Sequence, residues 1–123
     1  MAENFVATEN GNIKISPEVI MRISAISARE VEGVVGLGPS IAISELLGKK
    51  VPSKGVKVEF TEDKTIIDVH VTVKFGIKIN DIAPEIQKVV KNAVEEYASM
   101  ESVVVNVYVD GIEHEADARK SKK

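Results

Sequence analysis

Residues Thr65–Phe75, with the sequence TIIDVHVTVKF, decide how the rest of the chain folds. From Ile67 onward the odd positions are all apolar: Ile67, Val69, Val71, Val73 and Phe75. The even positions between them are polar: Asp68, His70, Thr72 and Lys74. This alternation is typical of a β-strand with one face in the core and the other towards water. The stretch therefore predicts a long strand of a one-sided sheet, whose β-branched face other elements must cover.

The length and composition are those of one globular domain. The 123 residues can close a single hydrophobic core without disulfides or a structural metal. Only 4% of the residues are aromatic and the formal net charge is −3, which disfavours nucleic-acid binding because that function uses cationic surfaces and stacking aromatics. The absence of cysteine excludes thiolate catalysis and thiolate metal sites.

The chain shows no sign of export or of membrane insertion. No apolar run approaches the roughly 20 residues that a membrane-spanning helix needs. The amino-terminal residues MAENFVATEN lack the basic stretch and apolar run of a secretory signal. Together with the absence of cysteine, these observations favour a cytoplasmic protein without direct membrane insertion.

The amino-terminal third predicts one short strand and one helix. Residues 1–10 are expected to form a flexible terminus, followed by a strand over Asn12–Ile15. Ser16 as N-cap and Pro17 at the first helical position indicate the start of a helix, which runs to about Val31.

The second half of the chain predicts a hairpin, a helix and a last strand. Gly55–Thr61 alternates like the strand that follows it, and the short polar turn between them predicts an antiparallel hairpin. A second helix is expected with Asp81 as N-cap, Pro84 in its first turn and an apolar stripe that extends to Tyr97. The last strand is expected over Ser102–Asp110.

These elements predict an α+β domain over residues 11–112. The order is β-α-β-β-α-β, a two-layer sandwich with two helices packed on one face of a mixed sheet. The helix-length connection before the last strand implies parallel pairing with the central strand. The other face of the sheet is expected to remain open. Asp110-Gly111 predicts a turn, after which residues 113–123 form a polar tail with a basic end.

The segment Gly33–Gly48 is too apolar for an ordinary exposed loop. Its glycines and Pro39 are expected to interrupt regular structure, and SIAISELLG then predicts a short helix that ends at Gly48. Its large apolar residues are Ile41, Ile43, Leu46 and Leu47. Two interpretations stay open: a lid on the domain's own core, or a docking surface for another protein or a membrane.

The open sheet face is the second candidate contact surface. Its mixed charges and single tyrosine suit a polar protein interface, although an ordinary solvated face is equally compatible. Its predicted residues are Lys57, Glu59, Asp68, His70, Thr72, Lys74, Asn106 and Tyr108. On such a flat face His70 is expected to be a solvated surface residue rather than a base or a metal ligand. No catalytic, cofactor or metal site is predicted.

Three stretches carry a resemblance to a known family: GNIKIS at 11–16, EVEGV at 30–34 and VTVKFG at 71–76. With the valine-rich stretches near 89–94 and 103–109, they make residues 11–112 resemble the alkaline shock protein family, small cytoplasmic proteins of mainly Gram-positive bacteria. The resemblance implies a non-enzymatic protein of cell-envelope stress or homeostasis that acts through protein contacts. It also implies that a partner recruits some members to the membrane.

The resulting functional prediction is a non-catalytic interaction module with one or more protein partners, a membrane-anchored one among the candidates. Self-association through an exposed edge strand or the open face is also expected. Two alternatives stay open. The first is a nucleic-acid-binding α+β domain with a regulatory role, which the acidic charge and the scarcity of aromatics disfavour. The second is an enzyme that uses His70.

Overall fold

The computed structural model describes residues 5–38 and 55–114 of the chain. In these two ranges the elements in order are β1 (Phe5–Thr8), β2 (Gly11–Lys14), α1 (Pro17–Arg29), β3 (Val34–Leu37), β4 (Val56–Phe60), β5 (Thr65–Lys74), α2 (Ile79–Tyr97) and β6 (Val103–Glu113). The helix predicted in SIAISELLG and the four large apolar residues of that segment lie outside the described residues. The basic end of the polar tail lies outside them too.

The central strand β5 organises a four-stranded mixed sheet. β6 runs parallel to β5 along its whole length, from Thr65↔Val103 to Lys74↔Glu113. On the other edge, β4 pairs antiparallel with residues 65–69 of β5, and β3 pairs antiparallel with residues 71–73. β3 and β4 therefore lie end to end along one edge of β5. The predicted β4–β5 hairpin and the parallel β5–β6 pair are confirmed.

Both helices pack on one face of this sheet, as predicted for a two-layer α+β domain. The inward residues of β5 are buried beneath α1 and α2, and the core residues that are no more than 4% exposed include Ile20, Ala28, Ile67, Val69, Val71, Val73, Ile82, Ile86, Val90 and Val94. The alternation along β5 decides this arrangement, since each second residue is buried and each residue between is half-buried or exposed.

Helix α1 begins where its sequence predicts. The Ser16 hydroxyl accepts a hydrogen bond from the Val19 N–H at 3.3 Å, and Pro17 occupies the first turn. Ser24 and Ser27 are buried, yet each donates its hydroxyl to a backbone carbonyl of the preceding turn, at 2.8 and 2.7 Å. These hydrogen bonds satisfy the two serines inside the core-facing surface of the helix.

The predicted start of α2 at Asp81 is wrong. The helix begins at Ile79, with Lys78 as an N-cap that makes no side-chain hydrogen bond. The backbone closes the first turn instead, because the N–H groups of Asp81 and Ile82 both donate to the Lys78 carbonyl at 3.0 Å. Pro84 consequently lies inside the helix. Pro84 has no N–H to donate to the carbonyl four residues earlier, that of Asn80.

Two strands were not predicted, and one was misplaced. β1 falls within the terminus expected to be flexible, and β3 falls in the glycine-rich stretch expected to lack regular structure. β2 corresponds to the predicted first strand, but it pairs with β1 in a separate two-stranded sheet and is not part of the mixed sheet. β3 forms despite its glycine because it pairs with β5 through an irregular register between Val34 and Gly36.

Three further expectations at the ends of elements are wrong. Phe75 is 62% exposed beyond the end of β5, where its ring lies against His114 with centroids 5.1 Å apart. Tyr97, the last residue of α2, is 72% exposed rather than part of the core. The Asp110-Gly111 pair does not turn the chain, because β6 continues through it to Glu113 with a shift in register.

Candidate functional site

The polar residues predicted for the open face lie on the side of the sheet opposite the helices. In β5 the side chains of Asp68, His70 and Thr72 are half-buried and Lys74 is exposed. The neighbouring strands add four exposed residues: Lys57, Glu59, Asn106 and Tyr108. Side chains alternate between the two faces of the sheet along β4, β5 and β6, so all eight residues lie on one surface, which we call the open face.

Cross-strand contacts order part of the open face. Asp68 and Asn106 are register partners, and the Asn106 amide Nδ2 donates to the Asp68 carboxylate at 2.9 Å. His70 and Tyr108 are the next such pair, and their rings stack with centroids 4.5 Å apart and planes 10° apart. Such pairs stabilise a sheet by fractions of a kcal/mol each, up to about 1 kcal/mol. These four side chains of the open face are consequently held in place by contacts within the domain.

His70 also contacts a carboxylate that sequence analysis missed. Its Nδ1 lies 2.5 Å from Asp110 Oδ2, and the two side chains are only 16% and 20% exposed. The expectation of a solvated His70 is therefore wrong. The register of β6 shifts between Val109 and Gly111, so Asp110 is the extra residue of a bulge. Bulges re-aim side chains in this way.

Thr72 extends this cluster to the end of β3. Its hydroxyl donates to the Gly38 carbonyl at 2.7 Å. On its other side lies Gly111, where a Cβ would come within 2.9 Å of the Thr72 hydroxyl oxygen. A side chain at position 111 would therefore push Thr72 away from the Gly38 carbonyl. We call His70, Thr72, Tyr108 and Asp110 the His70 cluster.

The His70 backbone anchors both stems of the segment between β3 and β4. The Gly38 N–H donates to the His70 carbonyl at 2.6 Å, and the His70 N–H donates to the Gly55 carbonyl at 2.7 Å. Both glycines have positive φ, +84° and +79°. The described end of the Gly33–Gly48 segment thus meets the open face at the His70 cluster.

The His70 cluster has half of the chemistry that acid–base catalysis requires. A carboxylate that holds an imidazole Nδ1 is the arrangement that orients a general base. The Thr72 hydroxyl, however, donates to a backbone carbonyl and is not directed at a reacting group. In residues 5–38 and 55–114, no three His, Cys, Asp or Glu side chains are grouped so that they could hold a metal ion.

Comparison with known protein families identifies the family of this chain. Residues 6–114 match the model of the alkaline shock protein 23 family, which is described as having a cell envelope-related function. The chain belongs to this family. The resemblance inferred from the sequence is thereby confirmed over nearly the whole chain, and so is the connection with the cell envelope.

Two relatives in Gram-positive bacteria support membership of the alkaline shock protein 23 family. The uncharacterized protein YqhY of Bacillus subtilis is 33% identical over 115 residues, which cover 92% of this chain and 85% of YqhY. The uncharacterized protein Spy1614 of Streptococcus pyogenes is 35% identical over 111 residues, which cover 87% of this chain and 92% of Spy1614.

Among solved structures, a cadmium form of a MamM CTD variant aligns with 80% of this chain and 100% of its own, with a TM-score of 0.49 and 15% identity. That similarity is too low to carry a functional argument.

The alternation along β6 is sufficient to predict Asp110 as an open-face residue. Val104, Asn106, Tyr108 and Asp110 share the parity of the open face, and one more step of the alternation would have included the aspartate. The Asp-Gly pair instead predicts a turn, which is why Asp110 was missed.

In the described part of the chain, neither helix is both long and apolar enough to cross a membrane.

Proposed function

We propose that this protein is a non-catalytic interaction module of the cytoplasm that serves cell-envelope stress response or homeostasis. It acts by binding protein partners on its open face and by self-association. Membership of a family with a cell envelope-related function supports this proposal. The structural observation that carries it is the ordered open face, with its Asp68–Asn106 and His70–Tyr108–Asp110 contacts. A preordered surface loses little side-chain freedom on binding.

The charges of the open face favour a protein partner over nucleic acid. Lys57 and Lys74 stand beside the carboxylates of Glu59, Asp68 and Asp110, so the surface has mixed rather than cationic character. Phosphate backbones require a cationic surface, and single-stranded RNA is usually held by several stacking aromatics. Polar, mixed-charge surfaces with tyrosine are typical of non-obligate protein interfaces. We therefore assign the open face to protein recognition.

The connection with the envelope is proposed to run through a membrane-anchored partner. Membership of a family with a cell envelope-related function supports this route. A partner with its own anchor would bring this domain to the membrane while the open face stays bound to protein.

Charge reversal on the open face should abolish function in cells. In a strain that lacks this protein, the Lys57→Glu/Lys74→Glu variant should fail to restore resistance to envelope stress, because it turns the mixed-charge face strongly acidic. The matched control is Lys14→Glu/Lys88→Glu, with the same change in charge at exposed positions of β2 and of the solvent side of α2. Circular dichroism and immunoblotting should show both variants folded and present. Full complementation by the open-face variant would contradict the proposal.

Replacement of His70 by phenylalanine distinguishes a protein that acts through partner binding from an enzyme that uses His70. His70→Phe retains a ring that can stack on Tyr108 but removes both nitrogens that could transfer a proton. Because the stacked ring on the open face persists and only the contact with Asp110 is lost, we expect this variant to restore most of the resistance to envelope stress. Loss of complementation by a variant that keeps the circular dichroism spectrum of the parent protein and still captures its partners in a pull-down would favour an enzyme that uses His70.

A further inference from the structure

A groove runs between α1 and α2 on the outer surface of the helical layer. It consists of two adjoining cavities, of about 560 Å³ and 480 Å³, which share Glu30 and Val89 in their walls. Its aliphatic lining comes from both helices, from the turn after α1 and from the loop that precedes α2: Ile23, Ile26, Val31, Ile77, Ile82, Val89 and Ala93. We call this feature the helix groove.

The helix groove keeps apolar surface that the core does not use. The sheet buries Ile82, Ile86, Val90 and Val94 of α2, whereas Val89 and Ala93 on the neighbouring flank are only half-buried. At the edge of the groove Ile26 is 54% exposed and Tyr97 is 72% exposed. The apolar stripe predicted for α2 is thus wider than the sheet requires. Contiguous exposed apolar surface of this kind marks binding sites in soluble proteins.

The ionisable side chains that line the groove are all acidic. They are Glu30, Glu32, Asp81, Glu85 and Glu96, and no lysine or arginine of the described residues joins them in the walls of either cavity. Carboxylates around an apolar floor repel lipid headgroups and nucleic-acid phosphates that carry negative charge. They attract a ligand with apolar side chains flanked by cations.

We propose that the helix groove binds a cationic amphipathic helix of a protein partner. The partner's apolar side chains contact Ile23, Ile26 and Tyr97, and its lysines or arginines pair with the surrounding carboxylates. A third helix fits a groove between two helices, whereas an extended peptide would pair with a sheet edge. The inference rests on the proposed interaction function and adds a second contact surface with a stated partner chemistry.

Two other occupants match the groove less well. The tail of this chain carries Arg119, Lys120, Lys122 and Lys123, but residues 115–123 contain no apolar side chain larger than alanine. The tail thus matches the charge of the groove walls but has no large apolar side chain to cover the groove floor. A second copy that packed groove against groove would bring further carboxylates to a surface that already repels them.

Fluorescence polarisation with a labelled peptide tests the proposal. The probe is a 14-residue amphipathic helix of leucine and lysine, and the control probe carries glutamate in place of lysine. We expect the full chain to bind only the leucine–lysine probe. Glu30→Gln/Glu85→Gln and Ile26→Ser should each raise the Kd about tenfold, the effect of losing one or two well-placed contacts. Glu62→Gln/Glu101→Gln, with the same loss of charge outside the groove, should leave the Kd unchanged.

Each contrary outcome of this titration has a defined meaning. Equal Kd values for the groove variants and the matched control would show attraction by overall charge alone and overturn the proposal. Probe binding that tightens tenfold when the four tail cations become glutamine would assign the groove to the tail. An altered mass of the groove variants in sedimentation equilibrium would assign it to a second copy. Lys57→Glu/Lys74→Glu should bind the probe like the parent chain, so a negative result for the groove does not bear on the open-face proposal, which the complementation experiment tests separately.

Discussion

Replacement of Gly55 by alanine should lower the free energy of unfolding by about 3–5 kcal/mol, the sum of backbone strain and overpacking. Gly55 has a φ of +79°, which L-residues adopt only with strain. A Cβ there would also lie 2.8 Å from the Gly38 nitrogen and 2.9 Å from Leu37 Cβ. Neither atom can retreat easily, since the Gly38 N–H donates to the His70 carbonyl. Urea unfolding followed by circular dichroism measures the loss.

Gly76 supplies the matched control for this substitution. Its φ is +101°, but a Cβ at that position would meet no atom within 4 Å. Gly76→Ala should therefore cost only the conformational strain, about 1–2 kcal/mol. Similar losses for the two variants would contradict the close approach of Gly55 to Gly38 and Leu37.

Truncation of Ile86 to alanine should cost about 3–5 kcal/mol, because it opens a cavity between α2 and the sheet. Ile86 is 0% exposed and lies in the same cluster as the inward valines of β5. Ile79→Ala removes the same atoms from a side chain that is 41% exposed at the start of the helix. The control should lose less than about 1 kcal/mol, as is usual for surface substitutions.

The comparison of these two isoleucines tests whether α2 covers the valine-lined side of β5. Both variants should unfold in one cooperative transition with unchanged dependence on urea, so that the midpoints report stability directly. Equal losses at the two positions would mean that α2 does not cover the valine-lined side of β5. The separation of a buried face from an open face would then fail as well.

Local periodicity predicted the elements that are regular along their whole length. The alternation in β5 and the three- and four-residue spacing in α2 placed the core and the eight open-face residues correctly. Periodicity failed at element ends, where Phe75 and Tyr97 continue an apolar pattern after the packing surface has ended. It also missed β3, whose pairing with β5 depends on a distant strand rather than on its own glycine-rich sequence.

The His70 cluster could be predicted only in part. Parity places His70 and Tyr108 on one face, but their stacking follows from the parallel register of β5 and β6. Asp110 lies 40 residues from His70 in sequence, and a bulge directs it there. Gly111 is a local signal for that bulge, because a glycine inside a strand often marks one, but it does not specify His70 as the partner of Asp110. Ile41, Ile43, Leu46 and Leu47 lie outside the described residues, and their role in docking remains a prediction.

Two surfaces of different chemistry follow from this architecture. The open face is polar, has mixed charge and is fixed by side-chain contacts between strands. The helix groove is apolar with acidic walls, and it lies on the opposite layer. On the two proposals above, each surface takes its own partner, so the domain holds two partners at once.

Occupancy of the open face in living cells is the most direct test of the proposed function. The chain contains no cysteine, so a single cysteine can report the accessibility of one chosen position. Glu59→Cys places a thiol on the open face, and Lys91→Cys places one on the solvent side of α2, outside the residues that line the groove. In purified protein a maleimide should label both thiols at similar rates, because both positions are exposed.

In intact cells under envelope stress, we expect the Glu59→Cys thiol to be labelled many times more slowly than in purified protein, while labelling of the Lys91→Cys thiol stays unchanged. Such selective protection would mean that a partner covers the open face where the protein works. Labelling of the Glu59→Cys thiol in cells at its rate in purified protein would mean that the face is free, and would contradict the proposed function.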